Sequence, residues 1–311
     1  MKYLLCSLLM LAGLSVRSQA PTKPAVYQEG IVSTNLSERD MAISPDGNEM
    51  YYTIQSGMGV FSTIVVMKKK GNGWTAPEIA PFSGMFSDLE PAFNHDGSKL
   101  FFCSNRPTSG DQKKDYDIWV MDKSGAGWGY PRNLGPAVNT AADEYYPSVG
   151  KSGNIYFTAE YPEKGIGRED IHVSKWIDGS YQASAVLDTA VNSKMYEFNA
   201  FVSADESFII FTSYGRKDDA GGGDLYISEK DASGQWMKAR NMVELNSTRL
   251  DYCPYVSPDQ KTLYFTSNRH DLMSSYKKPT TLDQLRKSYQ GMLNGTDNLY
   301  WVSFESVRSK K

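Results

Sequence analysis

The 311-residue sequence has little of what most metal sites and disulfide scaffolds need: three cysteines and three histidines. It has no basic excess. Thirty-three Lys and Arg stand against 36 Asp and Glu, a formal charge of −3, and this argues against nucleic acid as the natural partner. It has no apolar run long enough to span a bilayer, so no membrane span is expected. The longest such run, Leu4–Leu14, follows Lys2 and precedes the small residues of Ser18-Gln19-Ala20. It is read as a removable export signal over residues 1–20. Cys6 lies before or inside the run, so lipidation is not expected. Removal of the signal takes away Lys2 and Arg17 and no acid, moving the formal charge from −3 to −5. Cys103 and Cys253 remain, in distant parts of the repeat described next, and are expected as unpaired thiols.

What the sequence does have is tyrosine (20), glycine (26) and a repeat. Five stretches share an acid, a short alternating strand, a turn such as Ser-Pro-Asp-Gly and a second, aromatic-rich strand. They are 38–53, 88–103, 144–158, 197–212 and 251–266. The opening acids Glu38, Asp88, Glu144, Glu197 and Asp251 are 50, 56, 53 and 54 residues apart. A third strand follows in each unit (63–67, 117–121, 170–174, 224–228, 298–304). A fourth follows in the first four. Four antiparallel strands per unit of this length indicate a propeller blade. The fifth unit lacks a fourth strand of its own, and 26–35 resembles 238–246 of the fourth unit. The N-terminal strand should therefore complete the last blade. The expected fold is all-β: one five-bladed propeller of four-stranded antiparallel blades over 21–311. A closed ring has no open edge that demands a partner, so a monomer is expected.

The units SPDG, LYFTSNR and DIWV (44–47, 263–269, 117–120) resemble the WD-like β-propeller repeats of TolB-type proteins, and the whole chain resembles exported propellers of this kind from Bacteroidetes-type bacteria. Blade 1 departs most, with Thr63 where blade 2 has Asp117 and no Ser-Asn-Arg. The resemblance implies fold far more than activity, since one fold hosts many functions.

One stretch breaks the period. Residues 270–297 separate strands two and three of the last blade, and 280–295 reads as a helix. Thr280 or Thr281 would cap it and Gly295 would end it. Its stripe Leu282, Leu285, Tyr289, Met292 should pack on the blade or form a lid near a site.

The five acids open the innermost strands and should surround the axis. There they could bind a ligand or hold the next blade's backbone; presence in every repeat favours the structural use. Tyr145, Tyr146, Tyr196, Phe198 and Tyr252 flank the acids in blades 3 to 5, where blades 1 and 2 carry Ser37, Arg39, Asp40, Leu89 and Glu90. One side of the channel mouth should thus be aromatic and suited to sugar rings or cations. Arg106 and Arg269 follow Ser-Asn at the end of strand two, with Arg216 near the same place in blade 4. They should pair across the hairpin with the third-strand Asp117 and Asp224, or bind phosphate or carboxylate. The loop 217–224 holds three acids among glycines, chemistry that Ca2+ accepts, but its spacing is not that of an EF-hand. No other cofactor is implied, and no histidine has a nucleophile at triad spacing.

Two functions follow. The leading one is an exported, non-catalytic binding or scaffold protein in the periplasm or at the cell surface, which presents its mouth and loops to a cell-envelope protein or glycan. The alternative is a glycan-active hydrolase or lyase using a carboxylate pair drawn from Glu90, Asp40, Glu144 and Glu197.

Overall fold

The structure is a computed structural model that describes residues 19–110, 114–125 and 127–308. Residues 1–18 of the expected export signal lie outside the described residues. The chain forms a five-bladed β-propeller. Blade 1 is Ser37–Ile43, Glu49–Gln55 and Ser62–Lys70, closed by the short strands Gly73–Trp74 and Glu78–Ile79. Blade 2 is Asp88–Phe93, Lys99–Ser104 and Asp117–Ser124, closed by Gly127–Trp128 and Arg132–Asn133. Blade 3 is Glu144–Val149, Ile155–Ala159, Asp170–Ser174 and Ala185–Val186. Blade 4 is Tyr196–Val202, Phe208–Tyr214, Asp224–Glu229 and Arg240–Asn241.

Blade 5 takes Asp251–Val256, Thr262–Ser267 and Asn298–Ser303 from the end of the chain, and Ala25–Val26 from its start. Ala25 faces Trp301 and Val26 faces Tyr300. The Tyr27 N–H continues the ladder to the Leu299 carbonyl at 2.7 Å. The Ser33 hydroxyl then bonds both the N–H and the carbonyl of Leu299. The expected closure is therefore present, in a shorter strand held by Tyr27 and Ser33. It covers what would otherwise be a free sheet edge.

The turn chemistry explains the hairpins. The Ser44 hydroxyl accepts from the N–H groups of Asn48 and Glu49 and donates to Asp46, while Gly47 supplies φ +71°. Ser257 and Asp259 repeat this network, with Gln260 at φ +55° in the glycine's place. Between blades, buried rings make the core: Tyr51, Phe101, Phe157, Phe211 and Phe265 are all nearly inaccessible.

Strands run down from one face and return, so the loops between second and third strands gather at the face where the inner strands begin. The insertion lies there. Its helix spans Leu282–Tyr289 with Thr281 in a capping box with Gln284. Two expectations about it need correction. It ends at Tyr289, not Gly295, and its apolar stripe packs only in part: Leu285 and Met292 are half-buried, no helix residue is fully buried, and Leu282 and Tyr289 are each 61% exposed. The segment is held by its ends, through the His270–Asn294 bridge and a Thr296 bond to the Leu36 carbonyl.

Candidate functional site: the channel mouth

The five opening acids are all 1% exposed or less, and each is sealed by neighbours. A serine or threonine four or five residues upstream donates to the carboxylate: Thr34 to Glu38, Ser83 to Asp88, Thr140 to Glu144, Ser193 to Glu197 and Ser247 to Asp251. In three blades an asparagine immediately before that residue clamps the preceding blade. Asn139, Asn192 and Asn246 bond both the N–H and the carbonyl of Ile118, Ile171 and Leu225. Asn-Ser/Thr-x-x-x-Asp/Glu is thus a staple from one blade to the next.

The arginines complete it, and here the expected pairing is corrected. Arg106 bonds Asp88 at 2.7 Å, Arg269 bonds Asp251 at 2.8 Å and Arg216 bonds Glu197 at 2.9 Å. None meets the third-strand aspartate. Asp117 takes Lys114 instead, and Asp224 accepts from Ala220 and Asn241. The reason is reach: each guanidinium lies over the rings of strands two and three and points inward to the first strand. Among the described residues Glu38 and Glu144 have no such cation. Burial raises Glu38 and pushes Glu144 up to about 7, although Thr140 and Tyr161 donate to it.

The groups at the axis lie two residues further along. Every inner strand carries a register shift at this point. The residue in the bulge has left-handed φ: Asp40 +53°, Glu90 +60°, Tyr146 +53°, Asn199 +50° and Cys253 +51°. In three blades its N–H donates to a threonine of the preceding blade: Asp40 to Thr266, Glu90 to Thr53 and Asn199 to Thr158. Blade 2 has Cys103 in the threonine's place, and the Tyr146 N–H turns to Glu90 Oε2 at 2.7 Å.

These residues close the channel. Arg39 donates to Asp40 at 2.7 Å and to Glu90 Oε1 at 2.9 Å. Asn199 also donates to Glu90 Oε1 at 3.2 Å, so both oxygens of Glu90 are occupied. The Cys253 thiol donates to Asp40 Oδ1 at 2.8 Å, and Tyr146 reaches across to the Pro254 carbonyl. Burial and the neighbouring Asp40 raise Glu90, against the pull of Arg39. Beneath this septum lies a small cavity of about 60 Å3. Cys103 and Cys253 are both free, as expected, and both are buried.

Above the septum a cavity of about 330 Å3 opens to solvent. Tyr116, Tyr145, Phe198 and Tyr252 wall it, with Leu89 and Leu250. Arg39, Glu90 and Asn199 form the floor and Glu169 stands at the side. Tyr116 and Tyr145 lie 5.2 Å apart, and Arg39 lies 5.0 Å over the Tyr252 ring. Among the described residues the Glu169 carboxylate finds no hydrogen-bond or ion-pair partner. Burial, with Glu160 and Asp143 nearby, raises its pKa.

Of the residues singled out in the sequence, Tyr145, Phe198 and Tyr252 line this cavity, with Arg39, Leu89 and Glu90. Tyr146 sits below it in the septum, and Tyr196 lies outside, accepting from Arg168 at 2.8 Å. The five opening acids, Arg106 and Arg269 are not among its lining residues. Sequence reading missed Tyr116 and Glu169. Both occupy the place just before the start of a third strand, where all five repeats differ: Ser62, Tyr116, Glu169, Gly223 and Asp297. In the acidic loop 217–224, Asp218 accepts from Tyr226, Asp219 from Gly215 and Gly221, and Asp224 from Ala220. Among the described residues no group of three or more His, Cys, Asp or Glu is placed to hold a metal ion. No described helix is long and apolar enough to cross a membrane.

No protein-family model matches the chain, and no curated protein matches it. Solved structures do. BT0996, in a complex with RGII, aligns with TM-score 0.55 at 9% identity over 94% of this chain and 90% of that protein. The α-L-arabinofuranosidase PaAbf62A from Podospora anserina, in complex with cellotriose, aligns with TM-score 0.54 at 10% identity over 91% and 98%. TolB from Acinetobacter baumannii aligns with TM-score 0.47 at 15% identity over 86% of this chain, which spans about half (55%) of the TolB chain. At such identities the likeness is one of fold, and the chain is a five-bladed β-propeller.

Proposed function

We propose that this is an exported, non-catalytic binding protein, in the periplasm or at the cell surface, whose channel mouth takes one end of a cell-envelope glycan. The observation that carries the reading is the one-ended cavity of about 330 Å3, walled by four aromatic rings over a polar floor. Such walls receive the apolar faces of sugar rings, and Arg39 and Asn199 supply donors beneath. The non-catalytic part rests on the floor. A hydrolase needs a carboxylate free to move a proton or attack, and both oxygens of Glu90 are held by Arg39, Asn199 and the Tyr146 N–H.

A second reading, glycan hydrolysis, is favoured by one residue. Glu169 is unpaired and raised, the condition of a general acid. Calorimetric titration with envelope glycans and product analysis on the same samples separate the two. The binding reading expects Tyr145→Ala and Tyr252→Ala each to weaken binding by about tenfold, with the glycan recovered intact. Turnover that disappears in Glu169→Gln establishes the second reading instead.

A further inference from the structure

A cavity larger than the mouth lies away from it. A groove of about 800 Å3 runs between blades 2 and 3, beside the hairpin turns at the other end of the strands. Its origin is a break in the repeat. At the end of the third strand, blades 1, 2 and 4 carry a lysine stacked on a tryptophan: Lys69 on Trp74 at 4.9 Å, Lys123 on Trp128 at 6.0 Å, Lys230 on Trp236 at 4.6 Å. The register puts Trp176 and Tyr181 in these two places in blade 3. The bond from the Gln182 N–H to the Lys175 carbonyl matches that from Gly129 to Asp122 in blade 2.

The exchange leaves the interface underfilled. Trp128 reaches back into blade 1 and donates its indole N–H to the Tyr51 hydroxyl at 2.9 Å. Tyr181 is smaller than tryptophan, and the residue opposite it in blade 2, in the place of Tyr51, is Phe101, which has no oxygen to accept. Phe101, Val120, Leu134 and Val149 are left as the floor. Trp176 stands in the lysine's place, 41% exposed and edge-on to Tyr181 at 4.7 Å. Its ring sits on Gly153, where a Cβ would meet it at 2.9 Å.

The charge is one-sided. His95, Lys99, Arg132 and Lys151 line the groove, with Asp96 as the acid among its lining residues. Lys99 and Arg132 share a single partner, Asp122, and Asp96 already accepts from the Ser98 N–H. The Lys151 ammonium has no ion-pair partner among the described residues. An apolar platform beside a cation without an ion-pair partner, with His95 and Arg132 among the lining residues, suits a ligand with an apolar face and a negative charge; the rim hydroxyls of Ser152 and Ser180 already donate, to Glu206 and to the Ile177 carbonyl.

We infer that this groove is a second binding site, for an acidic oligosaccharide, with a sugar ring against Trp176 and its carboxylate on Lys151. The site is independent of the mouth. A neutral glycan would leave Lys151 without a partner, and an acyl chain would offer no acceptor to the polar lining groups His95 and Arg132.

The test is calorimetric titration of the whole chain with tetragalacturonate, beside maltotetraose as a neutral control and laurate as an anionic amphiphile. The inference expects tetragalacturonate alone to bind. Trp176→Ala and Lys151→Ala should each weaken it about tenfold or more. The double variant Phe101→Tyr, Tyr181→Trp restores the pair found between blades 1 and 2. It should fill the groove and abolish binding while the melting temperature is kept or raised. Tyr145→Ala, at the mouth, should bind as wild type. The inference is overturned if tetragalacturonate does not bind, if maltotetraose binds equally, if laurate takes the site, or if the groove-filling variant retains affinity.

Discussion

Arg39→Met is the sharpest perturbation of the fold's centre. The guanidinium is 12% exposed and bonds two carboxylates that are 1% and 3% exposed, Asp40 and Glu90. Methionine keeps much of the volume and removes the charge. Asp40 retains the Cys253 thiol, and Glu90 retains Asn199 and the Tyr146 N–H, so each keeps hydrogen bonds but loses the one cation paired with it among the described residues. Breaking a buried pair from one side costs about 3–5 kcal/mol. For a domain of this size that lowers the melting temperature by roughly 10 °C. The loss should be smaller at pH 5.5, because burial and Asp40 raise Glu90 and favour its protonated form there. Adding Asp40→Asn and Glu90→Gln to Arg39→Met should recover much of the loss. Calorimetric melts of these proteins at pH 5.5 and 8 measure this directly. A shift under about 2 °C for Arg39→Met at pH 8, or no recovery in the triple variant, refutes the account of the septum.

Three other outcomes follow from the same contacts. Glu144 is raised from 4.5 to about 7, so the folded state keeps a proton that the unfolded chain releases. Its contribution to stability is full below pH 4.5 and declines by up to roughly 3 kcal/mol as pH rises through 7. Glu144→Gln, whose amide can donate to the Thr140 and Tyr161 hydroxyls, should flatten that part of a urea-denaturation pH profile. Deleting residues 19–35 removes the closing strand with Tyr27 and Ser33 and bares the edge of Asn298–Ser303. Size-exclusion chromatography should show self-association or aggregation, against a monomer for the whole chain. Replacing 272–293 by a short glycine–serine link should change the melting temperature by no more than about 3 °C, since the helix buries no residue.

The blades were legible because their signals are local. Acid, alternating strand, Ser-Pro-Asp-Gly turn and aromatic strand recur at a near-constant interval, and the likeness of the N-terminal segment to a fourth strand pointed to the closure. The thiols Cys103 and Cys253 were legible as unpaired for the same reason. The axis was less so. Strand alternation alone points to the opening acids, yet the bulge two residues later puts Asp40, Glu90, Tyr146, Asn199 and Cys253 there. Five different side chains adopt one left-handed backbone, so no shared residue announced it. The inward reach of Arg106, Arg216 and Arg269 depends on the rings beneath them. Tyr116 and Glu169 come to the mouth from loops outside the aligned strands. The capping box of the helix at Thr281 is local and was readable, but the partial solvation of its apolar stripe depends on the neighbouring loops.

The central claim is that the aromatic mouth binds and does not turn over its ligand. It is tested most directly by titrating wild type, Tyr145→Ala and Glu169→Gln with a panel of envelope glycans, each sample then analysed for products. The account expects a glycan that binds the wild type, binds Tyr145→Ala about tenfold more weakly, and is recovered intact from all three. Binding indifferent to Tyr145→Ala, or a product formed by the wild type and absent with Glu169→Gln, contradicts it.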